Sequence, residues 1–381
     1  MNPRMTRDEL LRRGAAGLSV LSLPTLLAAC GGGGGGEGSG ELKDVLNFAN
    51  WPLYIDIDEE TKERPTLNKF TEETGIKVNY YEEINDNATY FAKIQGPLSQ
   101  GRSIDRDIIV LTDTERPLNL ILENGWAEKL DKSLIPNIEN LIPAQQSPPF
   151  DPNRDYTLPW QSGMTGIAWN PKLTEPVRSI SQLLDDPNLK GKVTMLSGFA
   201  DTVGLVMLDN GDDPSAVTDE SFQRVIDRVQ AAVDSGQIRR FTGNDYAEPL
   251  SRGTIAACVA WSGDIVQLQL DNPDLEFAIP EAGGMIWTDN MLIPKGGSVP
   301  TACTFMNFVY DPVNMAAISA YVNFIPPVAG TKEIILKEDP ELAENQLIFP
   351  DDETLARLHQ IDAKAIVNDE YLEQWQSVIG A

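Results

Sequence analysis

The chain has 381 residues, 57 Asp plus Glu against 30 Lys plus Arg, a formal charge of -27 and one histidine. An acidic chain with no basic cluster cannot neutralise phosphates, which excludes a nucleic-acid binder or a surface that docks on anionic lipid. A single histidine also leaves little room for His-based metal sites or a Ser-His-Asp triad.

Such charge could suit a disordered chain, but 41% apolar residues, with seven Trp, nine Tyr and twelve Phe, can bury a sizeable core. The length exceeds what one core usually fills and predicts two domains. Three cysteines are too few for a disulfide scaffold.

Residues 1–29 read as an export signal. Arg4, Arg7, Arg12 and Arg13 precede an apolar run from Gly14 to Ala29, too short for a comfortable membrane span and interrupted by Pro24. The run ends in Leu27-Ala28-Ala29-Cys30, which resembles the bacterial lipobox, where the thiol receives diacylglycerol and becomes the new N-terminus. Arg12-Arg13 resembles a twin-arginine signal set in a poorly matching context, so the Sec and twin-arginine routes both stay open. An ordinary cleaved signal with a chance cysteine is the competing reading. Against it stands the tether that follows, Gly31 to Gly36 and then Glu37-Gly38-Ser39-Gly40, of the kind that lets a folded body stand off a membrane. Removing residues 1–29 takes away four basic and two acidic groups, so the remainder is two units more negative.

From Val45 onward short apolar runs alternate with amphipathic ones. Val45 to Ala49 predicts a buried strand, followed by a helix through Leu67 and Phe70 that stops at Gly75, and then a strand from Ile76 to Tyr81. Ile108 to Leu111 predicts a third strand, with a helix from about Arg116 to Gly125. A second set has strands at Gly166 to Trp169, Val193 to Leu196 and Ile255 to Ala260, with helices from Ser221 to Ser235 and Ser262 to Leu270. Loops rich in Pro and Asn, notably Pro143 to Pro159, separate the sets. The alternation predicts an α/β fold with mostly parallel sheet covered by helices.

Ligands of open α/β sheets bind beyond the C-terminal ends of strands. The loops there carry unusual residues: Asn50-Trp51-Pro52-Leu53-Tyr54, Thr112-Asp113-Thr114 and Trp261-Ser262-Gly263-Asp264, with Gly283-Gly284-Met285-Ile286 leading into Trp287-Thr288-Asp289. A tryptophan at a strand end is usually core, but three in such loops invite another reading. Aromatic faces attract organic cations, by about 0.5–2 kcal/mol per contact. With carboxylates at Asp201 and Asp289, the chemistry is that of an amine receptor. Each ammonium needs a carboxylate, because a buried unpaired charge costs more than the rings return. A four-methylene chain between the rings would add about 3 kcal/mol.

These segments, together with Thr71-Glu72-Glu73-Thr74-Gly75-Ile76-Lys77-Val78, Pro149-Phe150-Asp151-Pro152-Asn153-Arg154-Asp155-Tyr156, Lys190-Gly191-Lys192 and Phe349-Pro350-Asp351, resemble the spermidine/putrescine-binding proteins of bacterial ABC transporters. The resemblance runs from about residue 43 to the C-terminus. The Phe-Asp-Pro-Asn and Gly-Gly-x-x-Trp-x-Asp segments are its most specific parts.

The resemblance implies a two-lobe periplasmic-binding-protein-like fold, with a ligand cleft between lobes joined by crossover hinge segments. It places the first lobe at 42–162 plus 289–332 and the second at 163–288 plus 333–381. It implies that Trp51 and Tyr54 line the cleft, that Thr112 is a polar contact, that Trp261 and Trp287 sandwich the alkyl chain, and that Asp289 holds one amine. There are departures. Only Asp201 stands near the start of the helix after Leu196, where two acids are common. Trp160 comes two residues before the usual Trp-Gly position, and Phe324 stands where a tyrosine hydroxyl is common.

Cys258 and Cys303 could form a disulfide in an exported protein, or could be two small buried residues. The implied protein is a monomeric, lipid-anchored receptor at the cell surface or in the periplasm. It delivers a polyamine to ABC-transporter permease subunits, touches the membrane through its anchor only, and uses no metal, cofactor or catalysis. Two other readings remain: a binding protein of the same fold for another amino compound, sugar or metal complex, and a secreted hydrolase using paired carboxylates. No Gly-x-Ser-x-Gly or His-Glu-x-x-His motif supports the last.

Overall fold

A computed structural model describes residues 40–58 and 60–380. The segment expected to be an export signal, the expected lipidation site Cys30 and most of the expected glycine tether lie outside the described residues.

The first strands and helices follow local chemistry. Strand β1 (Val45–Asn50) leads to helix α1 (Pro65–Thr74), which has Pro at its first position, where the missing N–H costs nothing. Gly75 closes the helix in the left-handed conformation at φ 77°. Strand β2 (Lys77–Glu82) is followed by α2 (Asn87–Ser99), whose N-terminus is capped by the Asp86 carboxylate accepting from Thr89 N. Strand β3 (Ile108–Thr112) and helix α3 (Arg116–Glu123) follow.

Next come β4 (Thr157–Trp169), β5 (Val193–Leu196), helices α4 (Phe199–Asn210) and α5 (Asp219–Asp234), β6 (Ile238–Thr242), β7 (Ala257–Trp261) and α6 (Ser262–Asp271). Strands β8 (Glu276–Ala278) and β9 (Gly284–Leu292) precede α7 (Val299–Val309) and α8 (Pro312–Val322). A short β10 (Leu358–His359) precedes the last helix, α9 (Asp369–Ile379).

Strands run in the order β2-β1-β3-β9-β4-β7-β5-β6, with β10 on β9 and β8 on β4. Each flank is parallel: β1 with β2 and β3, and β5 with β6 and β7. Between the flanks β4 and β9 run antiparallel, from Thr157 opposite Leu292 to Thr165 opposite Met285, with a bulge between Pro159 and Gln161.

The expected strand at Gly166 to Trp169 is therefore only the end of a thirteen-residue strand, all of it buried. The segment from Gly283 to Asp289, expected to be a loop, is mostly strand β9. Both strands are covered on both faces, which removes the alternating pattern that would mark them, and Pro159, Gly163 and Gly166 read as breakers.

Two hydrophobic cores define two lobes. The first is built from residues including Phe48, Phe70, Leu111, Trp160, Met291 and Phe305. The second includes Trp169, Val193, Phe222, Val259, Tyr371 and Trp375. Cys303 is buried in the first core and Cys258 in the second, and both are free thiols. The disulfide considered from the sequence is absent, because its partners sit in different cores. No helix among the described residues is long and apolar enough to cross a membrane.

Candidate functional site

A cavity of about 770 Å³ lies between the lobes. The loop after β1 supplies its first rings. Leu53 takes a left-handed conformation at φ 57°, uncommon for a residue with a side chain, and the tight reversal brings both Trp51 and Tyr54 to the cavity. Strand β9 supplies Trp287 and Asp289, two residues apart and hence on the same face of the strand. Trp261 ends β7, and Phe324 follows α8.

Five rings touch in sequence around this space. Trp51 meets Trp261 with centroids 5.8 Å apart, Trp261 meets Trp287 at 6.1 Å, Trp287 meets Phe324 at 5.7 Å, and Phe324 meets Tyr54 at 5.1 Å, mostly edge to face. Two glycines make room for them. A Cβ on Gly163, opposite Trp287 on β4, would sit 2.4 Å from that indole, and one on Gly263 would sit 2.5 Å from the Phe324 ring. Trp160 does not line the cavity. It is fully buried in the first core, 5.6 Å from Phe48 and 6.4 Å from Tyr54.

Asp289 lies directly opposite Thr112 across β3 and β9. The Thr112 hydroxyl donates to Asp289 Oδ1 at 2.7 Å and the Tyr54 hydroxyl to Oδ2 at 2.8 Å. Asn87 fixes Thr112 in turn: its Nδ2 donates to Thr112 Oγ1 at 2.8 Å, and its Oδ1 accepts from Thr112 N at 3.1 Å. Burial pushes the Asp289 carboxyl up to about 7 against the opposing pull of the two hydroxyls.

Asp201, in the first turn of α4, accepts from the Thr165 hydroxyl and from Trp261 Nε1 at 3.2 Å. Thr165 Oγ1 also accepts from Trp287 Nε1 at 3.0 Å, so one threonine orients a ring and an acid together. Burial raises the Asp201 carboxyl to about 6.

Further acids line the cavity, and two of them, Asp264 and Glu115, are strongly shifted by burial. Asp264 accepts from the Tyr246 hydroxyl at 2.6 Å and from Asn244 Nδ2 at 2.8 Å, and burial raises it to about 7. Half-buried Glu115, just before α3, is raised to about 8 by withdrawal from solvent and then by the charge of Asp201. Among the described residues no Lys or Arg is ion-paired with Asp201, Asp264, Asp289 or Glu115. Arg116 lines the cavity, but its Nη1 donates to Glu123 at 2.9 Å.

All eight residues proposed from the sequence, Trp51, Tyr54, Thr112, Asp201, Trp261, Trp287, Asp289 and Phe324, line this one space. Sequence reasoning did not assign Glu115, Asp264, Asn87 or Thr165 to the site, although Asp264 ends the flagged loop that Trp261 opens. The first two stood three residues after flagged positions, whereas Asn87 and Thr165 gave no signal. No group of three acid, thiol or imidazole side chains among the described residues is arranged to hold a metal.

Contacts cross between the lobes. Asn244 N donates to Asn85 O at 3.1 Å, Gln267 Nε2 to Leu53 O at 3.2 Å, and Ala200 N to Glu115 Oε1 at 3.4 Å.

The family model of bacterial extracellular solute-binding proteins matches residues 66–348. The chain belongs to this family. Its members bind solutes for transport and are not enzymes. The chain is 23% identical over 337 residues to the spermidine/putrescine-binding periplasmic protein of Escherichia coli, covering 87% of this chain and 91% of that one. It is 27% identical over 337 residues to a putrescine-binding periplasmic protein of Pseudomonas aeruginosa, covering 83% and 86%. Among solved structures, a putative spermidine/putrescine ABC transporter from Listeria monocytogenes superposes with a TM-score of 0.74 at 27% identity, over 88% of this chain and 99% of that one. The family description places this solute-binding protein outside the cytoplasm.

Proposed function

We propose that this solute-binding protein is a lipid-anchored monomer that captures a polyamine of the putrescine or spermidine type and hands it to the permease of an ABC transporter. One observation carries the reading: several buried carboxylates, with no cation paired to them, share a cavity with an unbroken run of aromatic rings. The ammonium groups of a polyamine meet the carboxylates, and its methylenes lie against the rings. A sugar offers hydroxyl donors to the carboxylates but no positive charge to balance theirs. The names of the relatives agree with this reading. The anchor would be Cys30, with the glycine tether as its spacer.

We take the lobes as 42–162 with 289–332, and 163–288 with 333–381. Trp287 packs with the first core although it falls in the second of these spans. Ligand contacts from both lobes favour the closed form, and the permease reads that form.

The test is a calorimetric titration of the purified protein against putrescine, spermidine, spermine, agmatine, amino acids and sugars. Binding of an amine is the expected result, and a response only to sugars overturns the reading. For the anchor, Cys30→Ala releases the protein from the membrane fraction; retention would refute lipidation at that residue.

A further inference from the structure

Asp201 is not the last acid at its end of the cavity. Glu115 comes from the first lobe and Asp201 from the second, and Gly198 lies between them. A Cβ built on Gly198 would be 3.0 Å from Asp201 Oδ2 and 3.0 Å from Glu115 Oε1. The two oxygens are therefore no more than about 6 Å apart, a gap that one ammonium with three donors can span from the cavity side.

Their present partners do not balance the charge. Asp201 accepts from a hydroxyl and an indole N–H, and Glu115 accepts from the Ala200 amide at 3.4 Å and from the Phe199 amide at the start of α4, so neither meets a full positive charge. Two such acids side by side disfavour each other's ionised form until a cation stands between them. The neighbouring cation, Arg116, is held away by Glu123. Glu115 reaches this position only while the lobes are together, because the amide it meets belongs to the opposite lobe.

Resting on the polyamine reading above, we infer that Glu115 is a specificity-determining residue. With Asp201 it makes a two-carboxylate seat, assembled from both lobes, for the second ammonium of a ligand whose first ammonium is held by Asp289. A monoamine satisfies the Asp289 end and leaves this seat empty. Selection for at least two charges is thereby tied to lobe closure.

Putrescine and 1-aminobutane, which share a four-carbon chain and differ by one ammonium, separate the possibilities in calorimetry of the full chain. Glu115→Gln lowers putrescine affinity about tenfold or more and leaves 1-aminobutane within about twofold. Gly198→Ala, which pushes a methyl group between the two acids, gives the same selective loss. Thermal unfolding shows that each variant is folded. Equal losses for both amines would make Glu115 a fastener between lobes and overturn the inference, as would unchanged putrescine affinity in Glu115→Gln. A wild-type protein that binds none of putrescine, spermidine, spermine and agmatine refutes the polyamine reading itself, before any variant is made.

Discussion

The two ends of the cleft are built differently. At one end a single carboxylate, Asp289, is held by Tyr54 and Thr112, and Thr112 is held by Asn87, all from elements of the first lobe. At the other end Asp201 belongs to the second lobe, is oriented by Thr165 and Trp261, and faces Glu115 from across the divide. The first end is complete before the lobes meet, and the second is complete only afterwards. A ligand that docks at Asp289 first would therefore meet a preorganised group with little ordering left to do, and would recruit the second lobe in a later step.

Breaking the preorganised end has the largest expected effect. Asp289→Asn removes a buried charge partner and weakens putrescine binding by about a hundredfold or more in calorimetry. Trp261→Ala, which takes away a ring and a donor to Asp201, costs about tenfold to thirtyfold.

The pH dependence sharpens the contrast without mutation. In the empty protein the acids are raised to about 6 at Asp201, about 7 at Asp289 and about 8 at Glu115. A cation favours their ionised forms, so binding at pH 7 releases protons. The release appears as a dependence of the observed heat on the buffer's ionisation enthalpy, and affinity rises between pH 6 and pH 8. Stability of the empty protein runs the other way. These groups hold protons more tightly folded than unfolded, so their contribution is present near pH 4 and is lost as pH rises through the folded values. The unfolding temperature without ligand should fall from pH 5 to pH 8, and saturating putrescine should narrow that fall. The smallest effect belongs to Thr112→Val, which removes one hydroxyl from Asp289 and costs a few-fold in affinity.

Much of this was legible in the residues. The strand-end positions of Trp51, Tyr54, Thr112 and Trp261 follow from short apolar runs ended by polar segments, and Gly75 stops its helix as the pattern predicts. What stayed hidden depends on contacts far apart in the chain. Strands β4 and β9 have no alternation because both faces are buried, so Trp287 and Asp289 read as a loop although they stand on a strand. Glu115 looks like an ordinary helix-start acid, and only the packing of one lobe on the other brings it to Asp201. Asn87, the first residue of its helix, lines the cavity itself and steadies Asp289 through Thr112.

The pairing of β9 with β3 also dictates an order of assembly. Ile109 faces Leu292 and Thr112 faces Asp289, so the sheet of the first lobe keeps an open edge until most of the chain has been synthesised. Residues 45–112 can collapse early, yet they present unpaired N–H and C=O groups along β3 through all the time the second lobe takes to emerge. The strand that closes this edge is also the one that brings Trp287 and Asp289 to the cavity, so completing the sheet and completing the site are a single event.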